Sequence, residues 1–257
     1  MADAADFIAA YRRSHDRLVA ASEGLTEEQL RSQSFDTEWS VAQVLSHLGS
    51  GAEIFGHIVD AGAAGEDAPG MDVYQGIWAV WDAKDAVSMR DDALAQDSAL
   101  TERLEGLTSE EADAFGITLW AGPMDLAAVV RMRLSEHALH TWDVEASFST
   151  SPTVPADLAG LLLPGLAAMA GRAGKAQDPG YRVVLESTDG HGAFTVSTGD
   201  PVTLSEGADA DADGVVRLPS EAILRLLAGR LRPDYTPALE ESGERGIADL
   251  RPVFPGF

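Results

Sequence analysis

The sequence contains no cysteine. This absence excludes disulfide bonds, thiolate metal ligands and cysteine nucleophiles, so any thiol chemistry here must use a thiol on a small molecule. No apolar run reaches the roughly 20 residues that a membrane-spanning helix needs. The first residues lack the basic and apolar segments of a signal peptide. We therefore expect a cytoplasmic protein with no membrane partner.

Positive charge is scarce. The chain has 18 Lys and Arg residues against 42 Asp and Glu residues, which gives a formal net charge of −24. This balance excludes nucleic acid as a partner, because recognition of a phosphate backbone needs a basic surface. The acidity by itself predicts only solubility. Small molecules remain the expected partners.

The first half of the chain has the apolar spacing of long helices. One helix is predicted over residues 3–22, and a capping box that begins at Ser40 opens a second. We predict a third helix over residues 74–107, with a bend, and a fourth that opens at Pro123 and ends near Ser147. The segment between these last two is predicted to be a loop or extended. Four long helices favour a four-helix bundle.

The second half has a different pattern. A segment rich in Ser, Thr and Pro, residues 148–155, is the predicted linker between domains at 1–150 and 151–257. A helix is predicted over residues 156–174, and a last helix is predicted with Ser220 as its cap. Three strand-like runs lie between these helices, over residues 181–187, 192–198 and 214–219. The second half is therefore predicted to be a smaller α+β domain.

The fourth helix carries polar residues where a bundle helix should be apolar. Glu136 and His140 are four residues apart and share one face, and Arg133 and Asp143 lie in the same sector. Burying such groups costs several kcal/mol unless they bind one another or a ligand. A divalent metal would remove that cost, and His47 on the second helix is the best third ligand. The set His47, Glu136 and His140 suits zinc with an open fourth position for catalysis.

Other interpretations of these residues stay open at this stage. A Glu-x-x-x-His pair is frequent by chance and is usually a solvated surface pair. Asp143 would either orient His140 or bind a substrate. His15 stands in a charged run and is predicted to be solvated, whereas His137 is predicted to pack normally or to support a ligand.

Two motifs resemble the mycothiol-dependent maleylpyruvate isomerase family. The segment "EWSVAQVLSHLGSGAEIF" is similar to its signature on the second helix, and "RMRLSEHALHTWDVEAS" is similar to its R-x-x-E-x-x-x-H-x-x-D signature. The resemblance implies a DinB-like metal-binding four-helix bundle. It also implies a C-terminal domain similar to sterol carrier proteins, on which "GVVRLPSEAILRLLAGRL" is the clearest match.

The resemblance implies an enzyme with defined reactants. The family's zinc ligands correspond to His47, Glu136 and His140, and mycothiol is its thiol co-substrate. The implied reaction is cis-trans isomerisation of a small enoyl or enedioyl substrate by reversible addition of the thiolate. Trp39, in the first motif, and Asp143, in the second, are the predicted substrate-binding residues.

Arginines complete the predicted site. The family's C-terminal domain supplies one arginine to the reaction, and the resemblance places it at Arg230, with Arg225 and Arg232 as rivals. Arg133 is the second predicted catalytic residue, since a guanidinium can hold a substrate carboxylate in a charge-assisted pair.

Other functions remain in competition. The same bundle could transfer mycothiol to an electrophile or exchange thiols in a natural-product pathway. A non-catalytic ligand-binding module is the alternative from another class. Three candidate ligands favour catalysis, because structural zinc sites usually have four protein ligands. The sequence leaves the metal open beyond a preference for zinc, and it leaves monomer and homodimer open.

Overall fold

The computed structural model describes residues 2–256. The chain forms two compact units, one that ends at Ser149 and one that begins at Thr150. The first unit is mostly helical and the second contains the main sheet, so the fold is a mixed α and β one, as the sequence predicts. Within residues 2–256, no helix combines the length and the apolar character needed to cross a bilayer.

Over its described residues, 2–149, the first unit contains seven helices and one hairpin. In chain order they are α1 (Ala4–Ser22), α2 (Glu27–Arg31), α3 (Val41–Ala64), α4 (Met71–Asp82), α5 (Ala86–Glu105), α6 (Ser109–Ala114), β1 (Ile117–Leu119), β2 (Gly122–Met124) and α7 (Leu126–Ala146). The four longest helices, α1, α3, α5 and α7, form the predicted bundle. In it α3 packs on α5, and α1 packs on α7.

The start of α3 matters for the site because this helix carries His47. The predicted capping box is present: Gln43 N donates to Ser40 Oγ at 3.3 Å, and Ser40 N donates to Gln43 Oε1 at 2.9 Å. Apolar residues on one face then bury the helix against its neighbours, with Leu45 and Leu48 fully buried. The cap and this face together fix the position and rotation of α3.

Two predicted boundaries in this unit are wrong. The predicted third helix is two helices, because the side chain of Asp85 accepts from Val87 N and Ser88 N and so begins α5 as an N-cap. Pro123 does not open the fourth helix. It lies in β2, paired with Thr118, and Asp125 caps α7 by accepting from Ala128 N at 2.8 Å. In both places an aspartate cap decides the boundary.

The second unit, described from residue 150 to residue 256, contains four α-helices and a five-stranded sheet. Its elements are α8 (Ala156–Leu162), α9 (Ala167–Ala173), β3 (Arg182–Ser187), β4 (Ala193–Ser197), β5 (Thr203–Glu206), β6 (Gly214–Leu218), α10 (Ser220–Leu227), β7 (Glu240–Gly243) and α11 (Ile247–Leu250). The strand order is β5-β4-β3-β6-β7. Only the β3–β6 pair of this sheet is parallel. The outer strands β5 and β7 were not predicted.

Local chemistry explains two further differences in this unit. The predicted helix over residues 156–174 is divided by a short 3₁₀ turn, Leu163–Gly165, which contains Pro164. Ser220 is the first residue of α10 and not its cap. The carboxylate of Asp189 accepts from Ser220 N at 3.2 Å and from Ser220 Oγ at 2.8 Å, so a residue distant in sequence performs the capping.

Candidate metal centre

Helices α3 and α7 bring three metal-ligating side chains together. His47 extends from α3, and Glu136 and His140 extend from successive turns of α7. Glu136 Oε2 lies 3.5 Å from His47 Nε2 and 3.6 Å from His140 Nε2. One ligand atom of each residue lies within 4.8 Å of the others. We call these three residues the Glu136 cluster.

The geometry of the Glu136 cluster fits a single divalent ion. Ligand atoms bound tetrahedrally at 2.0–2.1 Å lie about 3.3 Å apart, close to the two distances from Oε2 of Glu136. The side chain of Glu136 is 52% exposed and that of His47 is 38% exposed, so a further coordination position would be open to a small molecule. Within residues 2–256, this is the one group of three or more such side chains that converges in this way.

The protonation states also suit a metal. Burial lowers the pKa of His47, although the nearby carboxylate of Glu136 opposes this shift. Burial alone would raise the pKa of Glu136, but the neighbouring imidazoles of His140 and His47 lower it well below its usual range. A neutral imidazole and an ionised carboxylate are the forms that bind cations.

Asp143 holds His140 in place. It is fully buried, and its Oδ2 lies 2.8 Å from Nδ1 of His140. This contact puts the proton of His140 on Nδ1, so Nε2, which lies 3.6 Å from Oε2 of Glu136, carries the lone pair that could bind a metal. Of the two roles predicted for Asp143, orientation of His140 has direct support in the structure.

Trp39 lies beside the Glu136 cluster. Its ring centroid is 5.2 Å from that of His47 and 6.3 Å from that of His140. Trp39 and His47 also line a cavity of about 460 Å³ that reaches Trp78 on α4. A substrate-binding role for Trp39 stays a prediction.

Arg133 lies in a second cluster, away from the predicted substrate contact. Its side chain is only 2% exposed. Nε donates to Tyr11 Oη at 3.0 Å, and Nη2 donates to the carbonyl of Leu48 at 2.7 Å and to Asp97 Oδ1 at 3.2 Å. With these bonds Arg133 joins α7 to α3 one residue after His47. The placement disfavours contact with a substrate and favours a positioning role.

Asp97 on α5 is the centre of this second cluster, which sequence reasoning missed. It is fully buried and accepts from Tyr11 Oη, while its Oδ2 lies 2.8 Å from His15 Nδ1 and 2.9 Å from His137 Nε2. The prediction that His15 is solvated is therefore wrong. We call Asp97, Tyr11, His15, Arg133 and His137 the Asp97 cluster.

A signal for Asp97 exists in the sequence. It stands at helical spacing from Ala93, Leu100 and Leu104, all of which are buried. Burial alone would raise the pKa of Asp97, but His137, His15 and Arg133 lower it well below its usual range. Burial lowers the pKa of His137. The cluster therefore combines one carboxylate charge with the charge of Arg133 and a neutral His137.

The arginines of the second unit differ in their surroundings. Arg225 is buried, and its guanidinium donates to both carboxylate oxygens of Glu221 and to the carbonyl of Tyr235. Arg230 is half-buried, and its Nη1 donates to the carbonyl of Ala228 at 3.0 Å. Arg232 is exposed. The ion pair of Arg225 makes it the weakest of the three candidates, and the catalytic role of Arg230 stays a prediction.

The fold and the Glu136 cluster together define a class: a helical bundle that could hold one metal ion between two of its helices, followed by an α+β unit. The model of the mycothiol maleylpyruvate isomerase N-terminal domain matches residues 11–145. That match covers more than half of the chain, and the chain belongs to the mycothiol maleylpyruvate isomerase family.

Solved structures agree on the fold. The crystal structure of the mycothiol-dependent maleylpyruvate isomerase superposes with a TM-score of 0.68 at 14% sequence identity, and the match covers 95% of both chains. The structure of a histidine-to-alanine mutant of that enzyme gives a TM-score of 0.67, with the same identity and coverage. No curated protein sequence matches the chain significantly.

Proposed function

We propose that the protein is a metal-dependent enzyme that uses mycothiol as a co-substrate and isomerises a small cis-enoyl or cis-enedioyl acid. One observation carries the proposal: His47, Glu136 and His140 place three ligand atoms within 4.8 Å of one another at a solvent-accessible position. Membership of the family supplies the thiol, and a chain without cysteine fits a thiol that comes from outside.

The role of each ligand follows from its surroundings. His47, Glu136 and His140 would hold the ion, and Asp143 would keep Nε2 of His140 directed at it. A divalent cation bound there supplies a positive charge that lowers the pKa of a nearby thiol. Zinc is the proposed ion, since two imidazoles and one carboxylate suit it.

The proposed chemistry is reversible addition. The thiolate of mycothiol adds to one carbon of the double bond, and a proton balances the charge on the adjacent carbon. The bond between the two carbons is then single and rotates. Loss of that proton and of the thiolate restores the double bond in the trans geometry and returns mycothiol unchanged. A transferase that uses the same thiolate would consume it.

Charge on the substrate needs a partner. Carboxylates next to the double bond would be held by arginine, and Arg230 remains the proposed residue on the strength of the family resemblance. Arg133 has its guanidinium in the Asp97 cluster, so its proposed contribution is to hold α3 at Leu48, beside His47.

The first experiment is a calorimetric titration of the zinc-loaded protein with mycothiol, with glutathione as the control thiol. We expect selective binding of mycothiol that is lost in His140→Ala, together with loss of bound zinc in that variant. His57→Ala is the matched control, because His57 lies exposed on α3 outside the cluster. Binding of neither thiol by the zinc-loaded protein would contradict the proposal, as would normal zinc content in His140→Ala.

The second experiment distinguishes isomerase from transferase. A cis-enedioyl acid is mixed with the zinc-loaded protein and a substoichiometric amount of mycothiol, while free thiol and the trans product are both followed. An isomerase converts many equivalents of acid with constant thiol. Consumption of one thiol per product would establish the transferase alternative instead.

A further inference from the structure

Two of the candidate arginines, Arg230 and Arg232, lie in one segment of the second unit that has little regular structure. This segment covers residues 229–236, between α10 and β7, and it contains the 3₁₀ turn Pro233–Tyr235. Segments outside helices and strands are usually the more mobile parts of a fold. We call residues 229–236 the arginine segment, and its position decides where both guanidinium groups lie.

The start of the arginine segment is fixed by a glycine. Gly229 has a φ of +72°, in the left-handed region, and it follows the last residues of α10 as a C′ glycine. The next amide, Arg230 N, donates to the carbonyl of Arg225 at 2.7 Å. A Cβ at residue 229 would lie 2.2 Å from Cα of Gly256, so the C-terminal backbone packs directly against this glycine.

Arg251, the residue after α11, forms two hydrogen bonds with the arginine segment. Its Nε donates to the carbonyl of Leu231 at 2.9 Å, and its Nη2 donates to Thr236 Oγ1 at 2.8 Å. Thr236 Oγ1 in turn donates to the carbonyl of Arg232 at 2.9 Å. The planar guanidinium has its donors in a fixed fork, so it joins the two sides of the 3₁₀ turn in one geometry.

Arg225 holds the same segment from α10. Its Nη1 donates to the carbonyl of Tyr235 at 2.8 Å, and its Nε and Nη2 donate to the carboxylate of Glu221 at 2.7 and 2.8 Å. The side chains of Arg225 and Glu221 are only 2% and 7% exposed. An ion pair as buried as this is often no more stable than apolar residues of the same volume. Its clearest effect is on geometry, because Glu221 orients the guanidinium that holds Tyr235.

Leu231 anchors the arginine segment between the two candidate arginines. Its side chain is 2% exposed, and its carbonyl accepts from Arg251. The neighbouring Arg230 is half-buried and Arg232 is exposed. A displacement of Leu231 would therefore move both guanidinium groups. The hold on Leu231 controls the position of either candidate, so its effect does not depend on which of them meets the substrate.

We propose that Arg251 is a positioning residue for the reaction. Together with Arg225 it clamps the arginine segment, so that the guanidinium that receives the substrate carboxylate is in place before the substrate binds. The proposal rests on the proposed function, which supplies the carboxylate. Such a clamp matters because a misplacement of about 1 Å in a group that holds the substrate can lower the rate about 100-fold.

Hydrogen exchange of the zinc-loaded full chain tests the clamp without reference to activity. Arg251→Gln should speed exchange in peptides that cover residues 229–236 by about tenfold, the size expected for a lost hydrogen bond from a charged donor. Arg251→Lys should have the same effect, because an ammonium group lacks the planar fork. Arg217→Gln is the matched control, since Arg217 of β6 pairs with Glu186 of β3, and it should leave the exchange of the segment unchanged.

Steady-state kinetics give a readout that a merely structural role would not move. Arg251→Gln should raise the KM for the substrate acid about tenfold and leave the KM for mycothiol and the zinc content unchanged. Thr236→Val removes the Oγ1 acceptor at nearly constant size and should raise the same KM by a smaller factor. This second variant keeps the charge of Arg251, so it tests the clamp even if Arg251→Gln folds poorly.

Three results would overturn the proposal. The first is unchanged exchange of the arginine segment in Arg251→Gln. The second is full recovery of exchange and KM in Arg251→Lys, which would show that charge alone matters. The third is an equal rise in the KM for the acid and for mycothiol, the sign of a general loss of structure. No conversion of the acid by the unchanged protein would instead count against the proposed function, and exchange would still decide whether Arg251 clamps the segment.

Discussion

Helix α7 contributes to two polar clusters that differ in exposure and in completeness. Arg133 and His137 meet Asp97 in the core, where each side chain is at most 2% exposed. Glu136 and His140 lie on an adjacent face and meet His47, with Glu136 half exposed. The two clusters use similar residue types. The difference is that the members of the Asp97 cluster form hydrogen bonds with one another, whereas the Glu136 cluster places three potential ligand atoms within 4.8 Å of one another.

This difference separates a structural cluster from a ligand site. Asp97 accepts from Tyr11 and lies within hydrogen-bond distance of His15, His137 and Arg133, so its charge is compensated inside the protein. In the Glu136 cluster, Oε2 of Glu136 lies 3.5 and 3.6 Å from the two imidazole nitrogens, farther than in ordinary hydrogen bonds. A cation between them would complete the cluster, as the proposed function requires.

The largest effect on stability should come from the Asp97 cluster. Asp97→Asn removes the buried charge that compensates Arg133, and we expect it to lower the free energy of unfolding by about 3–5 kcal/mol. Glu136→Gln should change it by less than about 1 kcal/mol, because that carboxylate is half exposed. Chemical denaturation of both variants, with metal removed by a chelator, measures this difference. Similar losses of unfolding free energy in the two variants would show that the two clusters do not differ in this way.

The next effect concerns metal affinity. Asp143→Asn should lower the affinity for zinc by about 10–100-fold, because the carboxylate that orients His140 is replaced by a weaker partner. Glu145→Gln is the control, since Glu145 lies on the same helix and pairs with Arg17. Competition with a chelating dye gives both affinities. Unchanged affinity in Asp143→Asn would show that the Nδ1 contact does not position His140 for metal.

A smaller effect on stability should appear at Gly51 on α3, which lies beside Arg133 of the Asp97 cluster. An added Cβ on Gly51 would lie 2.7 Å from Nη1 of Arg133, so Gly51→Ala must displace the guanidinium. We expect a loss of stability of about 1–3 kcal/mol despite the better helix propensity of alanine. Gly56→Ala on the same helix meets no atom within 4 Å and should instead stabilise by up to about 1 kcal/mol. Thermal unfolding of both variants tests whether the close approach of Arg133 constrains residue 51.

The smallest effect is a change in the pH dependence of stability. Burial lowers the pKa of His137, so the folded protein binds its proton less readily than the unfolded chain does. The resulting stabilisation is present above the ordinary histidine pKa of about 6.5 and decreases as pH falls below it. Unfolding of the metal-free protein between pH 7.5 and 5.5 should therefore have a steeper slope than in His137→Gln. His57→Gln, a change at an exposed histidine, should keep the steeper slope.

Periodicity and capping motifs predicted the bundle well. The capping box at Ser40 lies within a short segment, and the apolar face of α3 repeats over several turns, so both are visible in the sequence. The starts of α5 and α7 were harder to predict. They depend on Asp85 and Asp125, and many aspartates in this acidic chain could act as caps.

The site was predictable only where its members share a helix. Spacing relates Glu136 to His140 and Asp143, and these residues are in contact or close together as that spacing requires. The partners of Arg133 come from α1, α3 and α5, and no local pattern relates Arg133 to Asp97. The cavity lined by Trp39, His47 and Trp78 likewise depends on the packing of α4 beside α3. Contacts of this kind are determined by tertiary structure.

The outer strands of the five-stranded sheet have a consequence for the behaviour of the protein at high concentration. Both are four residues long, and all four residues of β7 are exposed, including Glu240 and Glu241. An unpaired strand edge can recruit an edge from another molecule, and short, charged edge strands oppose this. Pairing of two such edges from different molecules would bring like charges together. The sheet thus has built-in resistance to aggregation through its edges.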